Sequence, residues 1–186
     1  LRDIVRVHHD VVTPRHPLSA TDAAEVELLL TGWGAPRLDR AALSALPRLE
    51  GVVHAAGTVK RLVSPEVWDR GIRVSSCASA NALPVAEYTL GMILLAAKRA
   101  LSSAEVFHRT QDMALARPRG DVGAYGVTVG IVGASRIGRR VIELLRPFDV
   151  HTVVFDPSIS AADAEALGAE LVTLPRLLAT SRIVSL

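Results

Sequence analysis

Gly133-Ala134-Ser135-Arg136-Ile137-Gly138 follows directly on the run Val127-Thr128-Val129-Gly130-Ile131-Val132. Glycines placed this way at the mouth of a strand suit one kind of chemistry, because they let backbone N–H groups come close to a phosphate. Gly133 permits the tight turn out of the strand, and Gly138 lets the next helix pack closely on the sheet. The helix N-terminus then offers free N–H groups and a partial positive charge to an anion such as a pyrophosphate. Asp156 ends the following strand, eighteen residues beyond Gly138. A carboxylate there can accept hydrogen bonds from both ribose hydroxyls of an adenosine and repels a 2′-phosphate, which favours NAD over NADP. Ser135 departs from the pattern by standing where a middle glycine normally lets the backbone approach the phosphates. Its hydroxyl can donate to a phosphate oxygen instead. A glycine turn that binds nothing is the plain alternative. Strand, turn, helix, strand and terminal acid in that order weigh against it.

The elements that must hold these residues can be read on both sides of the turn. After it come a helix at Arg136–Leu145, a strand at His151–Phe155, a helix at Ser160–Leu167, a short strand at Glu170–Val172, a short helix at Leu174–Ala179 and a strand from Ile183. Before it, strands are expected at Glu25–Thr31, Gly51–His54 and Ile72–Val74, with a short helix at Leu38–Leu46. Ser64-Pro65-Glu66 has the form of a helix start, with serine as N-cap and proline in the first turn. Pro14 and Pro17 interrupt residues 1–20. Strands separated by short helices imply right-handed crossovers and a mostly parallel sheet. The longest helix is expected from Asn81 to about Ser103, and Leu90–Ala97 within it is apolar on almost every face. Such a helix should be buried on all sides, in a core, between domains or in a dimer seam. Pro118, Gly120, Gly123 and Gly126 make residues 109–126 read as a surface loop.

Composition narrows the field. The chain has 186 residues, 49% of them hydrophobic and 4% aromatic, and this suits helices layered on strands rather than disorder. A net charge of +2, carried by scattered arginines and only Lys60 and Lys98, leaves no nucleic-acid footprint. Cys77 is the one cysteine, so no intrachain disulfide or cysteine metal site is possible, and a reducing cytoplasm is the natural setting. The apolar stretch 83–97 carries Glu87 and is too short for a bilayer, so no membrane is expected. The chain opens on Leu1 and finishes inside the strand-like Ile183-Val184-Ser185-Leu186, as a segment of a longer protein would.

Several segments together resemble the D-isomer-specific 2-hydroxyacid dehydrogenases. Asn81-Ala82-Leu83-Pro84-Val85-Ala86-Glu87-Tyr88-Thr89-Leu90 is similar to the opening of that family's long helix. Val129–Gly138, with Arg-Ile before the last glycine, resembles its cofactor loop, and Ala55-Ala56-Gly57-Thr58 resembles its substrate loop. Asp156-Pro157 and Val184-Ser185-Leu186 match expected strand ends, so that the likeness covers roughly residues 25–186. The resemblance implies an α/β fold with an incomplete Rossmann-type doubly wound parallel sheet, preceded by a smaller flavodoxin-like α/β substrate domain. Residues 1–82 would form the N-terminal part of the substrate domain, and residues 83–186 the first part of the NAD-binding domain with its connecting helix. Gly133, Ser135, Arg136, Ile137 and Gly138 would bind the pyrophosphate, Asp156 the ribose, and Thr58 would lie near the nicotinamide. Backbone N–H groups around Ala56 and Gly57 would take the substrate carboxylate, with Asn81 at the hinge. The chain departs from the family where Val59-Lys60-Arg61 replaces an acidic, asparagine-containing stretch.

The implied reaction is hydride transfer between nicotinamide and C2 of a small 2-hydroxy or 2-keto acid. The family's Arg, Glu and His would follow Leu186, so no residue of this chain is assigned as catalytic, and a homodimer is expected. The alternative is an NAD(H)-sensing, corepressor-like protein of the same fold without turnover. Among the histidines, His8, His9, His16, His108 and His151 show no paired carboxylate, and His54 is the best placed, beside the substrate loop. Cys77 reads as a small buried filler, Trp33 and Trp68 as packing residues, and Glu87 as a helix-start charge.

Overall fold

Short strands rich in Val, Ile and Leu, alternating with helices most of which carry a Ser, Thr or Asp side-chain cap, give a chain of α and β elements in the computed structural model. It describes residues 19–186 together with Val7 and Thr13. His8, His9, His16, Pro14 and Pro17 lie outside the described residues. The chain divides into two compact units, Leu1–Ala78 and Ser79–Leu186.

In the first unit α1 (Ala20–Ala24), β1 (Leu28–Thr31), α2 (Arg40–Ala45), β2 (Gly51–His54), α3 (Pro65–Asp69) and β3 (Arg73–Ser76) follow one another. The strands form a parallel sheet in the order β1-β2-β3, and Thr31, His54 and Ser76 stand in register at its carboxyl edge. Leu38, Leu43, Leu62, Val67 and Ile72 pack on Val52 to make the core. The Arg70 guanidinium donates to the carbonyls of Leu43, Leu46 and Pro47, so acceptors left over at the end of α2 are satisfied. Ser64 stands at the N-cap of α3 with Pro65 in its first turn, as expected, although its hydroxyl makes no cap bond and donates to the Leu38 carbonyl at 2.7 Å. Trp33 and Trp68 are exposed rather than packed, and Cys77 is exposed rather than buried.

The second unit opens with α4 (Ala78–Ala97, its first residue belonging to the first unit), α5 (Ala100–Thr110) and α6 (Met113–Ala116). One long helix was expected here. Instead Arg99 adopts a left-handed conformation (φ 52°) and ends α4, and a second such residue, Gln111 (φ 53°), ends α5. The expected loop 109–126 therefore begins with the end of α5 and contains α6. At 20 residues α4 reaches the length and apolarity of a membrane span, beyond the 83–97 stretch considered from sequence. Its burial is one-sided, with Ala82, Ala86, Ile93 and Ala97 inward and Leu83, Val85, Tyr88 and Leu95 exposed. Within this single chain α4 is thus covered on one side only.

β4 (Val127–Val132), α7 (Arg136–Leu145), β5 (Val150–Phe155), α8 (Ala161–Leu167), β6 (Glu170–Leu171), α9 (Leu174–Thr180) and β7 (Ile183–Ser185) complete the unit. All strand pairs are parallel, in the order β6-β5-β4-β7. The order reverses at β4, since the next strand to the far side is the last in sequence. A doubly wound sheet opens its ligand crevice at such a reversal, outside the carboxyl ends of the strands. Alternation along β4 sends Val127, Val129 and Ile131 into one core with Ala86, Ile93, Val141, Ile142, Leu145 and Ala164. Leu177 of α9 packs on the opposite face with Val153 and Val172. A Cβ at Gly130 would meet the Leu177 Cδ2 atom at 2.5 Å and the Ser181 Oγ atom at 2.4 Å. Glycine in mid-strand is thus what lets α9 lie close.

Candidate functional site

β4 delivers the chain into the turn with Gly133 at φ 97°, a left-handed conformation that side chains disfavour. The Gly133 N–H donates to the Phe155 carbonyl at 2.8 Å, which ties the turn to the end of β5. Gly138, one turn into α7, is needed for a different reason. A Cβ there would sit 2.0 Å from the Gly133 carbonyl oxygen, closer than any real contact. Ser135 is the N-cap of α7, and its Oγ accepts from the Gly138 N–H at a long 3.5 Å. The N–H groups of Ser135, Arg136 and Ile137 have no acceptor among the described residues. Three free donors at the end of a ten-residue helix, beside a turn opened by a glycine, are what a phosphate needs.

Asp156 follows the last residue of β5 and belongs to the same structure. One carboxylate oxygen accepts from the Ala134 N–H at 2.6 Å. The other accepts from the Ser158 N–H at 2.8 Å and the Ser158 hydroxyl at 2.5 Å. The Ser158 hydroxyl and N–H, the Ala134 N–H and the nearby Arg139 charge hold the Asp156 carboxyl below its ordinary value of 3.8. The acid is therefore ionised, half-buried, and fixed one strand over from the free helix end. Arg139 adds a further tie, its Nε donating to the Ala134 carbonyl at 2.8 Å.

Thus Gly133, Ser135, Arg136, Ile137, Gly138 and Asp156, separated by up to 23 positions, form one cluster. Ser158 and Arg139 were missed from sequence. An Asp-Pro-Ser string is a turn in which the acid accepts from the residue two places on, and that signal was available. A shallow groove of about 530 Å³ runs along the flank of α7, lined by Arg136, Arg139, Arg140, Arg146 and the start of α4; it does not include the turn or Asp156.

The other candidate residues lie on the first unit, apart from Asn81, which is half-buried near the start of α4. β2 ends at His54, and Ala55–Thr58 leave the carboxyl edge of that sheet. Ala56 is only 1% exposed, whereas Gly57 is half-buried and Thr58 exposed. The Thr58 hydroxyl oxygen accepts from the Lys60 N–H at 3.3 Å, which turns the loop back on itself. His54 is buried, and its Nδ1 lies 2.8 Å from the Thr31 hydroxyl. The structure pairs one histidine with a carboxylate that sequence did not supply: His151 Nε2 stands 3.1 Å from Glu170 on the neighbouring strand, and Arg176 holds the same carboxylate at 2.9 Å.

Comparison with known proteins follows the same division. Residues 91–186 match the family model described as D-isomer specific 2-hydroxyacid dehydrogenase, NAD binding domain. The D-3-phosphoglycerate dehydrogenase of Mycobacterium tuberculosis (strain ATCC 25618 / H37Rv) is 32% identical over 151 residues, which is 81% of this chain and 28% of that protein. The apo-structure of D-lactate dehydrogenase from Escherichia coli superimposes with a TM-score of 0.64 at 26% identity, covering 89% of this chain and 52% of that one. The D-lactate dehydrogenase from Aquifex aeolicus complexed with NAD and lactic acid has a TM-score of 0.72 over 90% of this chain and 49% of that one; at 23% identity the likeness is one of fold. The chain spans under a third of the first curated relatives and about half of these solved chains.

Proposed function

The chain belongs to the D-isomer-specific 2-hydroxyacid dehydrogenase family, and from that premise we propose that it forms the cofactor side and part of the substrate side of an NAD-dependent oxidoreductase acting on a small D-2-hydroxy acid or its 2-keto acid. The observation that carries this reading is the bond from the Ala134 N–H to Asp156, which fixes an ionised acceptor beside a helix end with three free donors. NAD is the cofactor, and when bound it accepts or supplies a hydride at C4 of its nicotinamide.

The N–H groups of Ser135, Arg136 and Ile137 bind pyrophosphate oxygens across the turn that Gly133 and Gly138 keep open. Asp156 accepts from the adenosine ribose hydroxyls and repels a 2′-phosphate. Gly57, with Ala56 seated beneath it, presents the loop donors to the substrate carboxylate. In the oxidising direction C2 of the hydroxy acid loses a hydride and its oxygen loses a proton; reduction returns both. The chemistry calls for a group that takes and returns that proton and for a cation on the carboxylate. The protein works in the cytoplasm on small acids, without nucleic acid or membrane. The test is NADH oxidation by the full-length protein with a panel of 2-keto acids. Turnover is expected, and tight NADH binding with silence across the panel would leave a non-catalytic binder.

Ser135→Gly removes only a long cap contact, and glycine is a tolerated N-cap. A loss of a few tenths of a kcal/mol in stability is expected, with NAD affinity unchanged or tighter in a calorimetric titration. A large loss of affinity would mean that the hydroxyl bonds a phosphate oxygen.

A homodimer is part of the same reading. None of the eleven residues of α5 is buried, although Leu101 and Phe107 are among them, and Tyr88, Leu95, Met113 and Leu115 of the flanking helices are exposed too. Exposed apolar side chains on three successive helices suit an interface, and a second copy of the chain is the occupant. Sedimentation of the full-length protein should give a dimer, and the double variant Leu101→Asp, Phe107→Asp should give a monomer. A wild-type monomer would remove the proposal.

A further inference from the structure

Arg136, Arg139, Arg140 and Arg146 recur at helical spacing and share one flank of α7. They line one side of the groove of about 530 Å³, whose other wall is the start of α4 with Leu167 of α8. From Arg136 to Arg146 the helix advances about 15 Å. Glu143 is the only acid among the described residues that line the groove, and it is already paired with Arg140 at 2.7 Å. Two other guanidiniums are fixed by backbone. Arg139 donates to the Ala134 carbonyl at 2.8 Å, and Arg146 donates to the Leu167 and Ala166 carbonyls at 3.0 and 2.7 Å. A carbonyl holds a guanidinium in place without cancelling its charge, and each keeps further N–H donors free. Arg139 also acts on Asp156 and Asp163, whereas Arg136 makes no ion pair with any described residue. Cations in the opening turns of a helix oppose its dipole, and like charges three or four residues apart repel. No acid stands in the first turn of α7 to offset them. The stripe is therefore unfavourable when the groove is empty and favourable when an anion lies in it.

We propose that this groove is a second anion site, separate from the cofactor turn, which takes a small molecule carrying several negative charges as phosphate or carboxylate groups. Arginine suits either group, because its planar fork meets two oxygens at once. One phosphate reaches only part of the stripe. A chain of anionic groups lies along the helix and meets Arg139, Arg140 and Arg146 in turn. The groove includes neither Gly133 nor Asp156, so this anion and NAD are held at the same time.

The test is a calorimetric titration of the full-length protein with tripolyphosphate and with citrate, each with and without saturating NADH. Ionic strength is held constant, because screening alone weakens exposed charge pairs. At least one of the two anions is expected to bind in both conditions, and the tighter of them identifies the group as phosphate or carboxylate. Arg140→Gln should weaken that binding by roughly three- to fivefold, and Glu143→Gln should tighten it by a similar factor, the scale of an exposed charge pair. Both substitutions break the same ion pair, so a merely structural consequence would move the two affinities in the same direction. No binding of either anion, or displacement of the anion by NADH, overturns the inference. So do affinities that the two substitutions leave unchanged or shift together. Failure of NADH to bind defeats the dehydrogenase reading alone, because the titrations without NADH and the two variants still decide the groove.

Discussion

Gly138→Ala is expected to destabilise the second unit by about 3 kcal/mol or more and to abolish measurable NAD binding, because the added methyl has nowhere to go. Its Cβ would stand 2.0 Å from the Gly133 carbonyl oxygen and 3.4 Å from a methyl of Ile131. The obstructing atom is backbone, so relief requires α7 to slide away from β4 rather than a side chain to turn. Overpacking in a close-packed interior typically costs about 1–3 kcal/mol, and a clash with main chain belongs at or above the top of that range. Sliding α7 also moves the N–H groups of Ser135, Arg136 and Ile137 away from Asp156, so stability and binding should fail together. Urea denaturation with an unchanged m-value measures the first, and titration with NAD the second. A variant as stable as the wild type that still binds NAD would show that the helix does not depend on this approach.

Asp156→Ala has the second largest expected effect, and it acts on recognition more than on folding. The substitution removes the acceptor for the ribose and leaves the Ala134 N–H without a partner. Hydrogen bonds to a charged group contribute about 1.5–3 kcal/mol each, so NAD affinity should fall by roughly 10- to 100-fold. NADP should lose less, or gain, because the repelling carboxylate has gone. Asp156→Asn separates the two roles: an amide oxygen can still accept from Ala134, but the charge is absent, so discrimination against NADP should narrow more than NAD affinity falls. The acid limb carries a sign. The Ser158 and Ala134 donors hold the folded pKa of Asp156 below 3.8, so its ionised form is favoured by folding. That contribution is present above the unfolded pKa and is lost as pH falls through the folded one. NAD binding should accordingly fail at a lower pH than an unperturbed aspartate would set. Unchanged preference between NAD and NADP in both variants would remove Asp156 from the cofactor site.

What the sequence revealed and what it hid have physical causes that particular residues make plain. β4 and α7 were legible to the residue, since Val127–Val132 runs into glycine and Ser135 starts a helix whose apolar side, Ile137, Val141, Ile142 and Leu145, keeps a period near 3.6. The start of α8 was equally clear, and Ser160 with Asp163 forms a reciprocal cap there. The break between α4 and α5 was hidden because Lys98 and Arg99 are both good helix formers, and nothing in their chemistry announces a left-handed residue. α6 was masked by the cluster of proline and glycine that follows it. Apolarity on almost every face of α4 announced a helix, but which of its faces this chain covers is decided by packing that composition does not encode. The pairing of His151 with Glu170 joins residues on adjacent strands β5 and β6, and spacing along the chain carries no trace of it. Local chemistry was readable where a turn had to be made; environment was not, because register and packing decide it.

The most direct measurement is a crystal structure of the full-length protein grown with NAD. The expected result is pyrophosphate oxygens within hydrogen-bond distance of the Arg136 and Ile137 N–H groups, with the adenosine ribose hydroxyls on Asp156. Nucleotide seated elsewhere, with the helix end and Asp156 facing only water, would contradict it.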